Sequence, residues 1–177
     1  VIHSVREFIS LPVMGLASGA QPVMGFNYGA GEYKRVKSCI RFTTLAAFIY
    51  TTLMWIFLIR FPGFFIGIFN KDAKVLEAGI PSMRLFFMVF FTTTLQFVGQ
   101  STFVALGKSK WAILFSVFRK VVIVSPLVVL LPRLWGLGSA GVFIAEPISE
   151  FIGGSACYIT MLLTVGKELK EEAVKPI

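Results

Sequence analysis

Three groups of polar side chains interrupt otherwise apolar sequence, each at a spacing that suggests chemistry. Gln21 and Asn27 flank Pro22 in a run that begins Gly15-Leu16-Ala17-Ser18-Gly19-Ala20. Proline lacks an N–H, so it frees a carbonyl one turn earlier. The two amides thus sit on a weakened helix, which either packs as a kinked strut or hinges with Gln21 facing a cavity. Thr92, Gln96 and Gln100 recur every four residues and share a helix face. An unpaired amide in hydrocarbon costs about a few kcal/mol. That face therefore either bonds to neighbouring helices or lines a solvated interior. Glu146 and Glu150, also four apart, lie deep in an apolar run and need a partner or water. Arg119 or Lys120 is the expected cation. The set is either an ion pair locking two helices or a site handling protons or cations.

Other chemistries fail on spacing. Gly107-Lys108-Ser109 ends like a phosphate-binding loop, but Thr102 stands where such a loop needs glycine. His3 is the only histidine, so no Ser/His/Asp arrangement can form, and an enzyme is not expected. Cys39 and Cys157 are far apart and belong to no ligand cluster, so neither a metal nor a disulfide framework is expected. No cofactor is implied.

The elements that must position these residues follow from composition. Of 177 residues, 56% are hydrophobic and 15% charged, with a mean hydropathy of +0.81. Soluble domains hold roughly 45–50% apolar and 25% charged residues, so a single water-facing domain is excluded. A crossing of the roughly 30 Å hydrocarbon core takes about 20 apolar residues in a helix. Five stretches qualify, near 5–28, 40–59, 79–106, 111–131 and 137–165, making the chain an all-α polytopic membrane bundle (1–166) with a charged tail (167–177) that frays into solvent. Phe61-Pro62-Gly63 opens the longest connection, which ends near Glu77. Small residues at spacing four, Gly15 with Gly19 and Gly141-Ala145-Ser149-Gly153-Cys157, predict close helix approach.

The net charge of +8 would suit nucleic acid in a soluble protein. Here the cations fall between apolar runs, and no nucleic-acid partner is expected. Lys34, Arg35, Lys37, Arg41, Lys108, Lys110, Lys167, Lys170 and Lys175 lie on one side; Arg60, Lys71, Lys74 and Arg133 lie on the other. Basic loops are cytoplasmic, so the tail is expected inside and the first span enters from outside. Trp111 and Trp135 sit at expected interfaces. The chain opens at Val1 without a signal peptide and is expected to be a piece of a longer protein.

Gly19-Ala20-Gln21-Pro22, then Gly25-Phe26-Asn27-Tyr28-Gly29-Ala30-Gly31 and Lys34-Arg35-Val36, resemble the multidrug and toxic compound extrusion (MATE) family. So do Phe69-Asn70-Lys71-Asp72, Ala105-Leu106-Gly107-Lys108-Ser109-Lys110, Leu131-Pro132 and Glu146-Pro147-Ile148-Ser149-Glu150. The matches run in order from Gly15 to the tail. The resemblance implies a secondary antiporter of two six-helix lobes in the plasma (inner) membrane. This chain would be helices eight to twelve, and the N-terminal lobe its missing partner. Such proteins export cationic, amphipathic drugs and xenobiotics by alternating access, in exchange for sodium ions or protons. Gln21 matches the family's cavity-facing Gln-Pro. One branch carries a coupling carboxylate on helix ten, whereas no acid lies between Gly79 and Lys108 here, and Gln96 or Gln100 occupies that region. Phe86, Phe87, Phe90, Phe91, Phe97 and Phe103 are candidates for cation–π contacts, most of them expected in packing. A related two-lobe flippase of lipid-linked oligosaccharides is the alternative; it would need a basic lumen, for which Arg84, Arg119 and Lys120 are the candidates. A third reading is an assembly subunit that transports nothing alone.

Overall fold

The computed structural model describes residues 1–134 and 139–171. The predicted start of the fifth span, Trp135, and the tail beyond Glu171 lie outside the described residues. Among those described the chain is helical throughout: α1 (Ile2–Gly29), α2 (Tyr33–Arg60), α3 (Pro62–Phe69), α4 (Ala73–Phe86), a 3-10 turn (Phe90–Thr92), α5 (Thr93–Ala105), α6 (Ser109–Val117), a π-helical stretch (Phe118–Val124), α7 (Ser125–Leu134) and α8 (Ser139–Glu171). Two turns share one geometry. Gly31 and Gly107 hold φ of +74° and +73°, which only glycine adopts readily. The residue after each donates back five positions, Glu32 to Asn27 and Lys108 to Phe103, at 2.8 Å. These bonds satisfy carbonyls that the helix ends would leave open.

By length and composition, Tyr33–Arg60, Ser109–Arg133 and Ala140–Leu169 are able to cross a bilayer, and Ala73–Phe86 with Phe90–Ala105, bent by 48°, have together the length and apolarity of a broken span or a re-entrant loop. At 28 residues α1 equals α2 in length. It carries His3, Arg6, Glu7, Gln21 and Asn27 and stands outside that apolar set.

Three expectations are corrected. The single helix over 79–106 is broken. Phe87, just before the 3-10 turn, and Phe90, at its start, enter one core cluster together, their ring centroids 5.2 Å apart. The break exposes carbonyls that hydrocarbon would not tolerate. The Trp55 indole N–H donates to Met88 O at 3.0 Å, and the Thr92 hydroxyl to Val89 O at 2.7 Å. The long connection after Phe61 is also helical. Pro62 begins α3 where its missing N–H costs nothing, and Ile66 of α3 packs so tightly on Gly79 of α4 that an added Cβ there would stand 2.9 Å from it. Finally, the charged end of α8 does not fray at Lys167. It stays helical to Glu171, with Leu169 buried. Glu168 accepts from the Tyr28 hydroxyl at 2.6 Å and pairs with Lys108.

The core runs the length of the bundle. Met24, Val36, Phe103, Met161 and Leu169 pack at one end, and Val5, Leu58, Met83, Phe87 and Phe90 at the other. Val13, Ala47 and Val98 link the two. The outside is as apolar as the inside, with Phe8, Phe26, Phe42, Phe64 and Leu163 turned outward. So large an exposed apolar surface suits hydrocarbon and not water.

Candidate functional site: a cavity between three helices

Helices α1, α5 and α6 border an open cavity of about 410 Å³ whose walls include Ser18, Gln21, Phe97, Gln100, Ser101 and Ser116. Gln21 lies one turn beyond Ala17 and Ser18 on α1, so the three line it together, while Pro22 is exposed. The Ser101 hydroxyl donates to Ala17 O and ties α5 to α1. Gln100 Nε2 donates to Ser116 Oγ at 2.8 Å and braces the opposite wall. No charged side chain lines the cavity. It offers amide and hydroxyl dipoles, one phenyl ring and aliphatic surface.

The other predicted polar residues go elsewhere. Asn27 Nδ2 bonds to Val23 O of its own helix at 2.8 Å. Thr92 lies in the 3-10 turn, buried, with its hydroxyl on the local backbone. Gln96 packs toward α8, its Cβ 3.7 Å from where a Cβ at Gly154 would stand. The expected shared face is thus not one cavity wall. Thr92 falls out of helical register, and four residues advance a helix about 40° past a full turn, which separates Gln96 from Gln100. Among the six phenylalanines, Phe97 lines the cavity. Phe86, Phe87, Phe90 and Phe103 are buried in the core, and Phe91 packs edge-on to Phe48 and Trp55.

A second polar centre holds four charges. Arg6 of α1 bridges Glu146 and Glu150 of α8. Arg119 approaches the same pair, Nη2 to Glu146 Oε1 at 3.3 Å and Nη1 to Glu150 Oε1 at 3.5 Å. Arg119 is 6% exposed and Glu150 3%, a depth at which charges need partners. The π-helical stretch turns Arg119 inward and leaves Lys120 outside. Gly153 makes room: an added Cβ would stand 2.8 Å from Arg119 Cγ. The small-residue row on α8 is therefore a contact surface, with Gly141 against Leu131 and Pro132 and Cys157 against Gly99. Gly15 and Gly19, by contrast, have nothing within 4 Å of an added Cβ. Among the described residues nothing approaches closely there; Val13, Ala17, Ala20 and Met24 form the packed face of α1. Arg6 was not singled out by spacing; its signal is that it is a charge inside the first apolar run. Ser116 carried no signal of its own. No cluster of three or more metal-ligating side chains occurs among the described residues.

An all-α bundle with an apolar exterior, a bent helix pair and an uncharged cavity that carries a few amides and hydroxyls defines an integral membrane protein of the transporter class. The family model described as MatE matches residues 1–130, and the chain belongs to that family. It is 25% identical over 162 residues to a protein of Shewanella oneidensis named FAD transporter, covering 87% of this chain and 34% of that one. It is 31% identical to the MATE multidrug transporter DinF-BH, solved in complex with R6G (TM-score 0.80; 90% of this chain, 35% of that one). A structure described as MATE in the bent conformation shares the fold at 16% identity (TM-score 0.91; 98% and 38%). The chain thus spans little more than a third of the length of these relatives.

Proposed function

We propose that the chain is the second lobe, less its first helix, of a two-lobe antiporter in the plasma membrane. It exports cationic, amphipathic molecules in exchange for sodium ions or protons. The observation that carries this reading is the uncharged, amide-lined cavity between α1, α5 and α6. Amide and hydroxyl oxygens and the Phe97 face offer a cation partial negative charge without trapping it, and the aliphatic wall takes the apolar part of such a cargo. Alternating access would set this half-site against a second lobe around one fixed site. An ion that binds one state better than the other is enough to bias that motion. The excess of basic loop residues supports a cytoplasmic tail.

The lipid-linked oligosaccharide flippase is the weaker reading. Arg84 and Lys120 are exposed away from the cavity, and Arg119 is held by Glu146 and Glu150. The name of the Shewanella relative raises FAD as a cargo. The cavity wall seen here offers its diphosphate no cation. The test is export by efflux-deficient cells expressing the intact transporter. Ethidium retention should fall, and the fall should be lost when both sodium and proton gradients are collapsed. Retention unchanged by expression, with FAD exported instead, overturns the proposal.

A further inference from the structure

A second cavity lies on the outer side of the bundle and plays no part in the proposed path. It is a groove of about 730 Å³ between α2 and α8, running from Lys37 to Phe48 on one wall and from Tyr158 to Leu169 on the other. Twelve helical residues span ~16 Å, close to half of the roughly 30 Å hydrocarbon core. Ile40, Met161, Val165 and Leu169 form its buried floor. Near the deep end the Thr44 hydroxyl donates to Ile40 O at 2.8 Å and lies 3.1 Å from the Tyr158 hydroxyl, from which it accepts. At the shallow end, where α2 begins and α8 ends, stand Lys37 and Arg41. Both are exposed, and neither makes a hydrogen bond or ion pair with the described residues. Of the acidic side chains described near that end, Glu32 lies 3.9 Å from Arg35 and Glu168 pairs with Lys108.

We infer that this groove is a binding site for one anionic phospholipid of the adjacent leaflet, with an acyl chain along Leu45, Phe48 and Leu162 and the phosphate on Lys37 and Arg41. Length, polarity and charge agree on this occupant. The groove is as long as one leaflet is deep, apolar where acyl carbons lie, and cationic at headgroup level. A zwitterionic lipid would fill it without answering the two free cations. Gly166 opens the basic end: an added Cβ there meets nothing within 4 Å. The inference needs only the membrane placement of the chain, not the identity of the cargo.

Native mass spectrometry of the detergent-purified intact transporter tests it, with dioleoylphosphatidylglycerol and dioleoylphosphatidylcholine as probes. One phosphatidylglycerol should be held in preference to phosphatidylcholine. Lys37→Gln with Arg41→Gln should weaken that binding by roughly thirtyfold, about fivefold per cation. Gly166→Trp, which fills the groove without touching the fold, should abolish it while circular dichroism is unchanged. Equal binding of the two lipids overturns the proposal, as does a preference that survives both variants.

Discussion

Gln21 and Gln100 meet across one cavity from different helices, and each should contribute about 1 kcal/mol to holding cargo if its amide bonds to it. Gln21→Ala and Gln100→Ala are each expected to raise the half-saturating cargo concentration roughly fivefold, whereas Gln96→Ala, directed at α8, should change it less than twofold. Initial export rates against ethidium concentration read all three. The four-charge centre makes a different prediction. Arg6→Met leaves Glu146 and Glu150 facing Arg119 alone, and removing one partner of a buried ion pair costs about 3–5 kcal/mol. The melting temperature in detergent should fall sharply. Replacing Arg6, Arg119, Glu146 and Glu150 together by apolar residues should restore much of it, and a fall as large as that of Arg6→Met would show that the charges do more than balance one another. Amides and acids in apolar sequence are legible without a structure, because hydrocarbon makes them rare. Which amide faces the cavity is not legible. Asn27 is four residues from an accepting carbonyl and Gln21 is not seen to use one, a difference set by side-chain geometry and not by residue type.

Helices were readable wherever an apolar run outlasted twenty residues, and the glycines at 31 and 107 marked their ends. The break between Phe86 and Thr93 was not, because its cause is tertiary. Phe87 and Phe90 share a pocket formed with Leu58 and Met83, and Trp55 of another helix takes the freed carbonyl. The π-helical stretch is hidden for the same reason: only Glu146 and Glu150 on α8 give Arg119 cause to turn inward. Small-residue rows mislead in one direction. Spacing alone predicts close approach at both Gly15/Gly19 and the α8 row, while the structure shows it at Gly141 and Gly153. Gly141→Ala would drive a Cβ to 2.8 Å from Pro132 N, a backbone atom, and should cost about 1–3 kcal/mol. Gly15→Ala meets nothing and should be neutral or stabilise by about 0.5–1 kcal/mol. Thermal unfolding of the two variants, measured in the same detergent, compares them. Equal losses would mean that another part of the protein packs on Gly15.

At the scale of the whole molecule, three regions have separate roles. The packed core and the Arg6–Glu146–Glu150–Arg119 centre hold α1 and the π-helical stretch to α8. The outer face, with its groove, meets lipid. The remaining cavity is mostly apolar, with two amides and three hydroxyls in its wall, and in the function proposed above it is the half-site around which a second lobe would complete a path. That division rests on the cavity being open to water and to cargo in the intact protein. The direct measurement replaces Cys39 and Cys157, installs Ser116→Cys or Gln21→Cys in the intact transporter, and follows labelling by a membrane-impermeant maleimide. Both cysteines are expected to react, and saturating cargo is expected to protect both, while Leu163→Cys on the outer face stays unlabelled. Unreactive cavity cysteines, or labelling that cargo leaves unchanged, would contradict a transport path between α1, α5 and α6.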